Sequence, residues 1–372
     1  MIRVLNIISD TNIGGAGRVL LNYLRYADRE RFETLVALPR GSLLKPPLEE
    51  AGGRVLEVDG IADRSYNKED VKTLRALIAR ERPSLVHTHG CFSGRIAARR
   101  EGAPVIYSRH SAFPVPAKLR YPPGRWVNKL VNEYYADRII AVSPAAAKNL
   151  TDGGISPKKI TVMMNGVAPV ARRPEEETQE LRRRWGIGPE DFALGILARL
   201  EDYKGHMDIL QALSILRGAG RPAKLLIAGV GPYEPTLRQE TARLGLEDAV
   251  LFLGFVSDVA PLLSALDLQL NASYGTETSS LSILEGMSMG LPAVVSSYGG
   301  NPWLIDDGED GLIFPTRDAA ALAGAVARLM DSREELSRMG ERAVEIFHQR
   351  FTGEIFAGNI ENVYLDTLKG AK

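Results

Sequence analysis

Glu277-Thr278-Ser279-Ser280-Leu281-Ser282-Ile283-Leu284-Glu285-Gly286-Met287 follows the strand-like run Leu268–Asn271 and enters a helix-like segment that stops at Gly290-Leu291-Pro292. A strand, a loop and a helix in that order belong to an open parallel sheet, which collects its ligands outside the carboxyl ends of its strands. The first carboxylate sits in the loop and the second inside the helix, so both can face one ligand there.

Vicinal hydroxyls of a ribose or a hexose can donate to carboxylate oxygens, and a sugar nucleotide therefore suits this pair. Ser282-Ile283-Leu284-Glu285 also matches a capping box, in which Glu285 would only turn back onto a free backbone amide. The spacing alone leaves both readings open.

Outward from this stretch the same rhythm repeats. Strand-like runs fall at Ile2–Ile8, 33–38, Arg54–Val58, 85–88, 105–108, 138–142 and 159–163. A second series falls at Phe192–Leu197, 224–228, 250–253, Leu268–Asn271, Ala293–Ser296 and 312–314, with helical patterns between the strands. Such alternation predicts parallel sheets covered by helices on both faces. A chain of 372 residues is long for one core, and the two series predict two α/β domains with a cleft between them. The boundary is expected near residue 170, with residues 169–179, rich in Pro, Arg and Glu, as the linker. Beyond Phe314 the pattern is helical, and a final helix within 353–372 is expected to cross back onto the first domain.

Between the first strand and a helix read at 19–26 lies Asn12-Ile13-Gly14-Gly15-Ala16-Gly17-Arg18. Glycines there let backbone amides approach a ligand at a helix start. The G-x-G-x-x-G spacing of dinucleotide binding is absent, which removes support for a nicotinamide cofactor.

No apolar run reaches the ~18 residues of a membrane span, and Met1 leads straight into a strand-like run instead of a signal peptide. A cytoplasmic location is expected. Cys91 is the single cysteine, which excludes an internal disulfide and a cysteine zinc cluster. The net charge of zero hides an asymmetry: residues 1–170 hold 26 Lys and Arg against 16 Asp and Glu, leaving 20 against 30 for the rest. In 83–130 Arg95, Arg99, Arg100, Arg109, Lys118, Arg120, Arg125 and Lys129 face the single acid Glu101, interleaved with Tyr107, Phe113, Tyr121 and Trp126. Such a stretch suits an anionic membrane surface, a phosphate-bearing acceptor or nucleic acid, and is otherwise solvated charge.

In the second series, Arg199 and Lys204 flank the loop Ala198-Arg199-Leu200-Glu201-Asp202-Tyr203-Lys204-Gly205. A guanidinium fork and an ammonium at a helix start can hold a diphosphate and stabilise charge on a leaving nucleotide. His87-Thr88-His89 and His110 raise the question of a metal. The two strand histidines are expected to face apart, and no acid lies near them in sequence.

Together these residues resemble the family 4 retaining glycosyltransferases of the GT-B fold, in which two Rossmann-like parallel-sheet domains face each other across a cleft. The resemblance runs through nearly the whole chain: Gly14-Gly15, Leu85-Val86-His87-Thr88-His89, Ala141-Val142-Ser143, Asn165-Gly166-Val167, Arg199 with Lys204-Gly205, Gly229-Val230-Gly231-Pro232, Leu253-Gly254-Phe255-Val256, and Glu277 to Glu285 with Gly290-Leu291-Pro292. Two departures stand out. Thr278-Ser279-Ser280 occupies the place where the family usually has Gly-Phe-Gly or similar, and Trp303 stands where a Glu is common.

The resemblance implies an N-terminal acceptor-binding domain over 1–170 and a C-terminal nucleotide-sugar domain over 171–352. Glu285 would hold the ribose, Glu277 the donor sugar, Arg199 and Lys204 the diphosphate, with Gly14 and Gly15 giving that phosphate room. Phe255 and Val256 would lie beside the base, Gly229, Gly231, Ser279, Ser280 and Leu281 would complete the donor site, and His110 would reach the sugar and the attacking hydroxyl. It further implies a UDP-, GDP- or ADP-sugar donor, no cofactor and no metal, in keeping with the lack of a D-x-D sequence, and no nucleic acid partner. The acceptor would be a lipid-linked or cell-surface polysaccharide precursor, reached from the cytoplasm or peripherally at the inner face of the cell membrane. A sugar-nucleotide epimerase of the same fold and a catalytically silent partner of another transferase are the alternatives, and fold alone does not separate them.

Overall fold

The computed structural model describes residues 1–370 and divides into two compact units. One comprises Met1–Val167 and the chain from Phe351 onward, the other Ala168–Arg350. The first unit contains seven strands: β1 (Ile2–Ile8), β2 (Phe32–Pro39), β3 (Arg54–Val58), β4 (Leu85–His89), β5 (Val105–Arg109), β6 (Arg138–Ala141) and β7 (Ile160–Val162). They pair in the order β3-β2-β1-β4-β5-β6-β7, and every pairing is parallel. The second unit holds β8 (Phe192–Leu197), β9 (Ala223–Ala228), β10 (Val250–Gly254), β11 (Leu268–Asn271), β12 (Ala293–Ser296) and β13 (Gly311–Phe314) in the order β10-β9-β8-β11-β12-β13, also all parallel. Val4, Leu5, Ile7 and Ile8 of β1 and Ala193, Leu194 and Ile196 of β8 are buried, as strands covered on both faces require. In each sheet the order reverses beside the first strand, between β1 and β4 and between β8 and β11. Loops leaving the carboxyl ends of those strands splay apart and open a crevice at the switch point.

Three local expectations are corrected. The first helix starts at Gly15, four residues before the expected Val19, and spans Gly15–Tyr26. Its glycine-rich first turn carries no side-chain cap and reads as a loop, yet the Arg18 amide already donates to Gly14 O at 3.0 Å. Residues 169–179 are not a free linker. The Val170 amide donates to Ser288 Oγ at 2.9 Å, the Arg173 amide to Ser264 Oγ at 2.9 Å, and Glu175–Arg184 is a helix with Glu175, Glu176 and Glu177 in its first turn. Acids placed against the positive end of a helix dipole look, in sequence, like a solvated charge run. The unit boundaries lie at Val167/Ala168 and Arg350/Phe351, three and two residues from the expected positions.

The last helix, Gly353–Gly370, packs in the first unit; the final two residues of the stretch expected to be helical lie outside the described residues. Glu361 Oε1 accepts the Asp28 amide at 2.8 Å, and the buried Tyr364 sits edge-on to Tyr23 with ring centroids 5.9 Å apart.

Candidate active site

In the second unit the expected donor residues gather at the carboxyl ends of β8, β9, β10 and β11. After β8 the chain makes a tight turn over Asp202–Lys204 and reverses at Gly205, whose φ of +73° is open to glycine; a Cβ there would lie 2.0 Å from Ala272 O. This close approach sets Lys204 against the loop after β11. Lys204 Nζ donates to Glu277 Oε2 at 2.9 Å, and the same oxygen accepts Ser273 Oγ at 2.8 Å and Asn271 Nδ2 at 3.1 Å. Oε1 takes a longer contact of 3.3 Å from the Thr278 amide. Glu277 is only 7% exposed. Burial pushes its carboxyl upward, but the charge and hydrogen bond of Lys204, with Asn271 and Ser273, overcome this and hold it below the usual carboxylate range.

A further shell fixes these partners. The Asn271 carbonyl oxygen accepts the Ser273 amide at 3.1 Å and Asn301 Nδ2 at 3.4 Å, Asn301 Nδ2 also reaches Ser296 Oγ at 3.1 Å, and Ser296 Oγ donates to Ser273 O at 2.6 Å. Gly300 presses on the Glu277 loop so closely that a Cβ would fall 1.4 Å from Thr278 O, while its amide donates to Glu277 O at 3.0 Å. Asn271, Ser273, Ser296 and Asn301 were not among the expected site residues. Asn271 alone leaves a signal, as a polar residue ending an apolar strand.

Glu285 lies half-buried in the helix Leu281–Met287, whose N-cap is Ser280. Ser282 is therefore inside the first turn, with its hydroxyl donating to Leu197 O at the end of β8 at 3.1 Å. The capping-box reading fails here because Ser282 does not occupy the cap position. Gln269 Nε2 donates to Ser282 O at 2.9 Å, tying this turn to β11. Ser279 is buried, Ser280 Oγ lies 3.2 Å from Ser282 Oγ, and Leu281 is half-buried. Arg199 is exposed and donates to the Tyr203 hydroxyl at 2.9 Å. The Gly229–Gly231 turn after β9 clasps the Arg199 loop, since the Leu200 amide donates to Val230 O and the Tyr233 amide to Leu200 O, both at 3.1 Å. Phe255, just past β10, is 61% exposed, and Val256 packs on the apolar cluster below.

Gly14, Gly15 and His110 belong to the first unit. Gly15 is exposed at the start of its helix, with open space where a Cβ would stand. His110 follows β5. The expectation that His87 and His89 face apart is wrong: residues two apart on a strand share a face, and their ring centroids lie 4.4 Å from each other. His89 Nδ1 is 3.0 Å from His110 Nε2 and His89 Nε2 is 3.0 Å from Asn6 Oδ1. His87 lies between the Tyr364 hydroxyl at 2.9 Å and Ser108 Oγ at 2.8 Å. Because the Asn6 carbonyl oxygen can only accept, His89 carries its proton on Nε2 and accepts at Nδ1, and His110 must donate from Nε2. Burial drives all three rings toward neutrality, to about 3 for His87, about 4 for His110 and well below the ordinary value for His89, where neighbouring histidines add to the effect. Both nitrogens of His87 and of His89 are thus engaged by protein groups, and among the described residues no group of three His, Cys, Asp or Glu is placed to hold a metal. An open pocket of about 560 Å³ lies beside His110, bordered by Asp10, Ala16, Ser65, Arg109 and Ser111.

Two parallel α/β units, each with polar residues at its switch point, define a Rossmann-like protein built for a ligand at strand ends. Residues 13–170 match the family model described as Glycosyltransferase Family 4, and residues 177–345 match that of Glycosyl transferases group 1. The chain belongs to the family 4 glycosyltransferases, with the GT-B fold. It is 28% identical to the EpsD protein of Bacillus subtilis (strain 168) over 319 residues, covering 79% of this chain and 80% of that one. It is 30% identical to the D-inositol 3-phosphate glycosyltransferase of Acidothermus cellulolyticus over 308 residues, covering 76% and 67%. The structure of Anabaena Alr3699/HepE in complex with UDP-glucose superposes with a TM-score of 0.83 over 98% of this chain and 100% of that one; at 22% identity this likeness is one of fold.

Proposed function

We propose that this glycosyltransferase moves a sugar from a nucleotide-diphosphate sugar, with retention, onto a hydroxyl of a lipid-linked or cell-surface polysaccharide precursor at the anionic inner face of the cell membrane. The observation that carries the reading is the buried Lys204–Glu277 pair at the ends of β8 and β11, with Arg199 on the same loop as Lys204 and Glu285 in the helix that follows Glu277. The bond between the anomeric carbon and the diphosphate oxygen breaks while a bond to the acceptor oxygen forms on the same face. The acceptor proton passes to the departing phosphate oxygen, and Arg199 and Lys204 stabilise the charge left on the nucleotide. This stabilisation counts only as charge develops, so it accelerates the step instead of merely tightening donor binding. Glu277 Oε1 faces the lighter load of donors and is the oxygen offered to a sugar hydroxyl. Glu285 takes the ribose. The structural neighbour holding UDP-glucose supports a uridine donor as the first to test, with GDP- and ADP-sugars as the comparison.

Calorimetric titration of UDP, GDP and ADP into the wild type and Glu285→Ala is the direct test. A loss of affinity of tenfold or more for one nucleotide in the variant is expected, since at least one charge-assisted hydrogen bond is removed. Unchanged affinity for every nucleotide that binds the wild type rejects the placement of Glu285. NMR of the product's anomeric proton decides the stereochemistry, and inversion rejects the same-face step.

A further inference from the structure

The helix Gly124–Tyr134 is amphipathic with its polarity reversed. No residue in it is buried. The side turned to the protein carries Asn128, Asn132 and the half-buried Val131: Asn128 Nδ2 donates to Gly153 O at 2.7 Å and Asn132 Oδ1 accepts Arg95 Nη1 at 3.1 Å, while Glu133, at the edge of the outward side, reaches back so that its Oε1 accepts the Ser156 amide at 2.8 Å. The opposite side carries Trp126, Val127, Leu130 and Tyr134, which are 67, 58, 72 and 59% exposed. A surface helix ordinarily buries its apolar stripe, because that burial is what holds it in place. Here polar bonds hold the helix, and four large apolar groups at i, i+1, i+4 and i+8 stay exposed, Tyr134 with part of its ring against Tyr135 and Arg99.

Charge identifies what covers them. Lys118, Arg120, Arg125 and Lys129 are all exposed on this helix or just before it, Arg125 with one long bond from Nη2 to Thr151 O at 3.4 Å, and Glu133, bonded to the Ser156 amide, is the single acid from Lys118 to Tyr134. The basic stretch expected to reach from Arg95 to Lys129 is accordingly narrower. Arg95 is buried over Tyr107 and bonded to Asn132, Arg99 pairs with Asp137 at 2.9 Å, and Arg109 donates to Ser111 O. Those three cations serve the fold. Of the five that remain, Arg100 ends the earlier helix Phe92–Arg100, and Lys118, Arg120, Arg125 and Lys129 accompany a Trp and Tyr bearing stripe, the composition of a helix lying in a membrane interface. A protein partner would need an acid opposite each cation in one fixed register, whereas anionic headgroups supply charge at every position.

We propose that the Gly124–Tyr134 helix docks in the plane of an anionic bilayer, with Trp126, Val127, Leu130 and Tyr134 among the acyl chains and Lys118, Arg120, Arg125 and Lys129 against the headgroups. The inference deepens the reading of a membrane-borne acceptor given above and is tested without it. No helix among the described residues is long and apolar enough to cross a membrane, so this is attachment to one leaflet.

Sedimentation with vesicles of phosphatidylcholine alone, or with one quarter phosphatidylglycerol, at 0.1 and 0.5 M salt provides the test. Binding is expected with the anionic vesicles at low salt and weakens at high salt. Each basic residue near such a surface contributes about fivefold to partitioning (about 1 kcal/mol), so replacing Lys118, Arg120, Arg125 and Lys129 with Gln lowers it by more than a hundredfold. Trp126→Ser with Leu130→Ser lowers partitioning at either salt, and brominated lipid quenches the fluorescence of Trp126 in the unsubstituted protein. Both variants change exposed side chains and keep wild-type nucleotide affinity, which separates failure of docking from failure of the donor site. Equal sedimentation in all four conditions overturns the proposal. So does vesicle binding that survives both sets of substitutions, or a concentration-dependent dimer that Trp126→Ser with Leu130→Ser abolishes, since a second copy would then cover the stripe.

Discussion

Replacing Lys204 with Met removes the cation from a buried pair and leaves Glu277 charged. At 2.9 Å the pair is worth about 6 kcal/mol of Coulomb attraction at an effective dielectric of ~20, part of which is offset by desolvation of the ammonium. Both side chains are well shielded, at 17 and 8% exposure, so solvent screening is small. Asn271, Ser273 and the Thr278 amide still solvate the carboxylate, which places the cost at the lower end of the ~3–5 kcal/mol seen when one partner of a buried pair is removed. For a unit of this size, ~3 kcal/mol lowers the melting temperature by about 6–12 °C.

The pH dependence carries the sign. In the wild type the Glu277 carboxyl is held below its ordinary range, so its contribution is present above the unfolded value near ~4.3 and is lost only as pH falls through the lower folded value. Without Lys204, burial, the largest single influence, is opposed only by the hydrogen bonds of Asn271 and Ser273, and the carboxyl is expected to rise. The ionised group then costs stability at pH 8, and the cost is relieved as it protonates on the way to pH 5. The gap between wild type and Lys204→Met should therefore narrow in acid. Urea denaturation at pH 8, 7, 6 and 5 measures it, with Glu277→Gln and the double variant closing the cycle at a coupling of ~2 kcal/mol or more. A gap that is absent at pH 8, or constant across the series, refutes the claim that Lys204 is what holds the Glu277 carboxyl below its usual range.

Asp310 is buried and shifted up to about 6 by desolvation first, with a hydrogen bond from the Asp306 amide opposing it. Its ionisation costs ~3 kcal/mol above pH 6, and this cost disappears as pH falls toward 4. Asp310→Asn keeps the Asp306 contact and should gain ~1–2 kcal/mol at pH 8 but nothing at pH 4, because the new amide nitrogen replaces an oxygen that has no hydrogen-bond partner among the described residues. Denaturation at the two pH values checks it. For the histidine chain, long-range proton–nitrogen NMR of ¹⁵N-histidine protein should show His110 neutral and protonated on Nε2 from pH 7.5 to 5; the Nδ1 tautomer, or titration near 6.5, would break the Asn6–His89–His110 assignment.

What could be read in the sequence divides by how far each interaction reaches along the chain. All thirteen strands are legible within a residue or so, because a strand buried on both faces is apolar along most of its length, as Phe192–Leu197 and Ala293–Ser296 are. Glu277 and Lys204 announce themselves as charges at strand ends, yet their pairing across 73 positions does not, nor does the dependence of Asn271 on Asn301 across 30. Those contacts exist only once Gly205 and Gly300 let two loops approach to backbone distance. Equally, Arg95 and Arg125 are indistinguishable as letters. One is buried over Tyr107 and bonded to Asn132 on the inward side of the Gly124–Tyr134 helix, and the other stands exposed on that helix with a single long bond to Thr151 O. Composition could therefore indicate that the first unit is basic, but only the reversed helix shows where that charge is free to act. Exposed cations alone are ordinary solvated charge; what sets this face apart is that Trp126, Val127, Leu130 and Tyr134 are exposed together with them, and it is this combination that the comparison of neutral with anionic vesicles isolates.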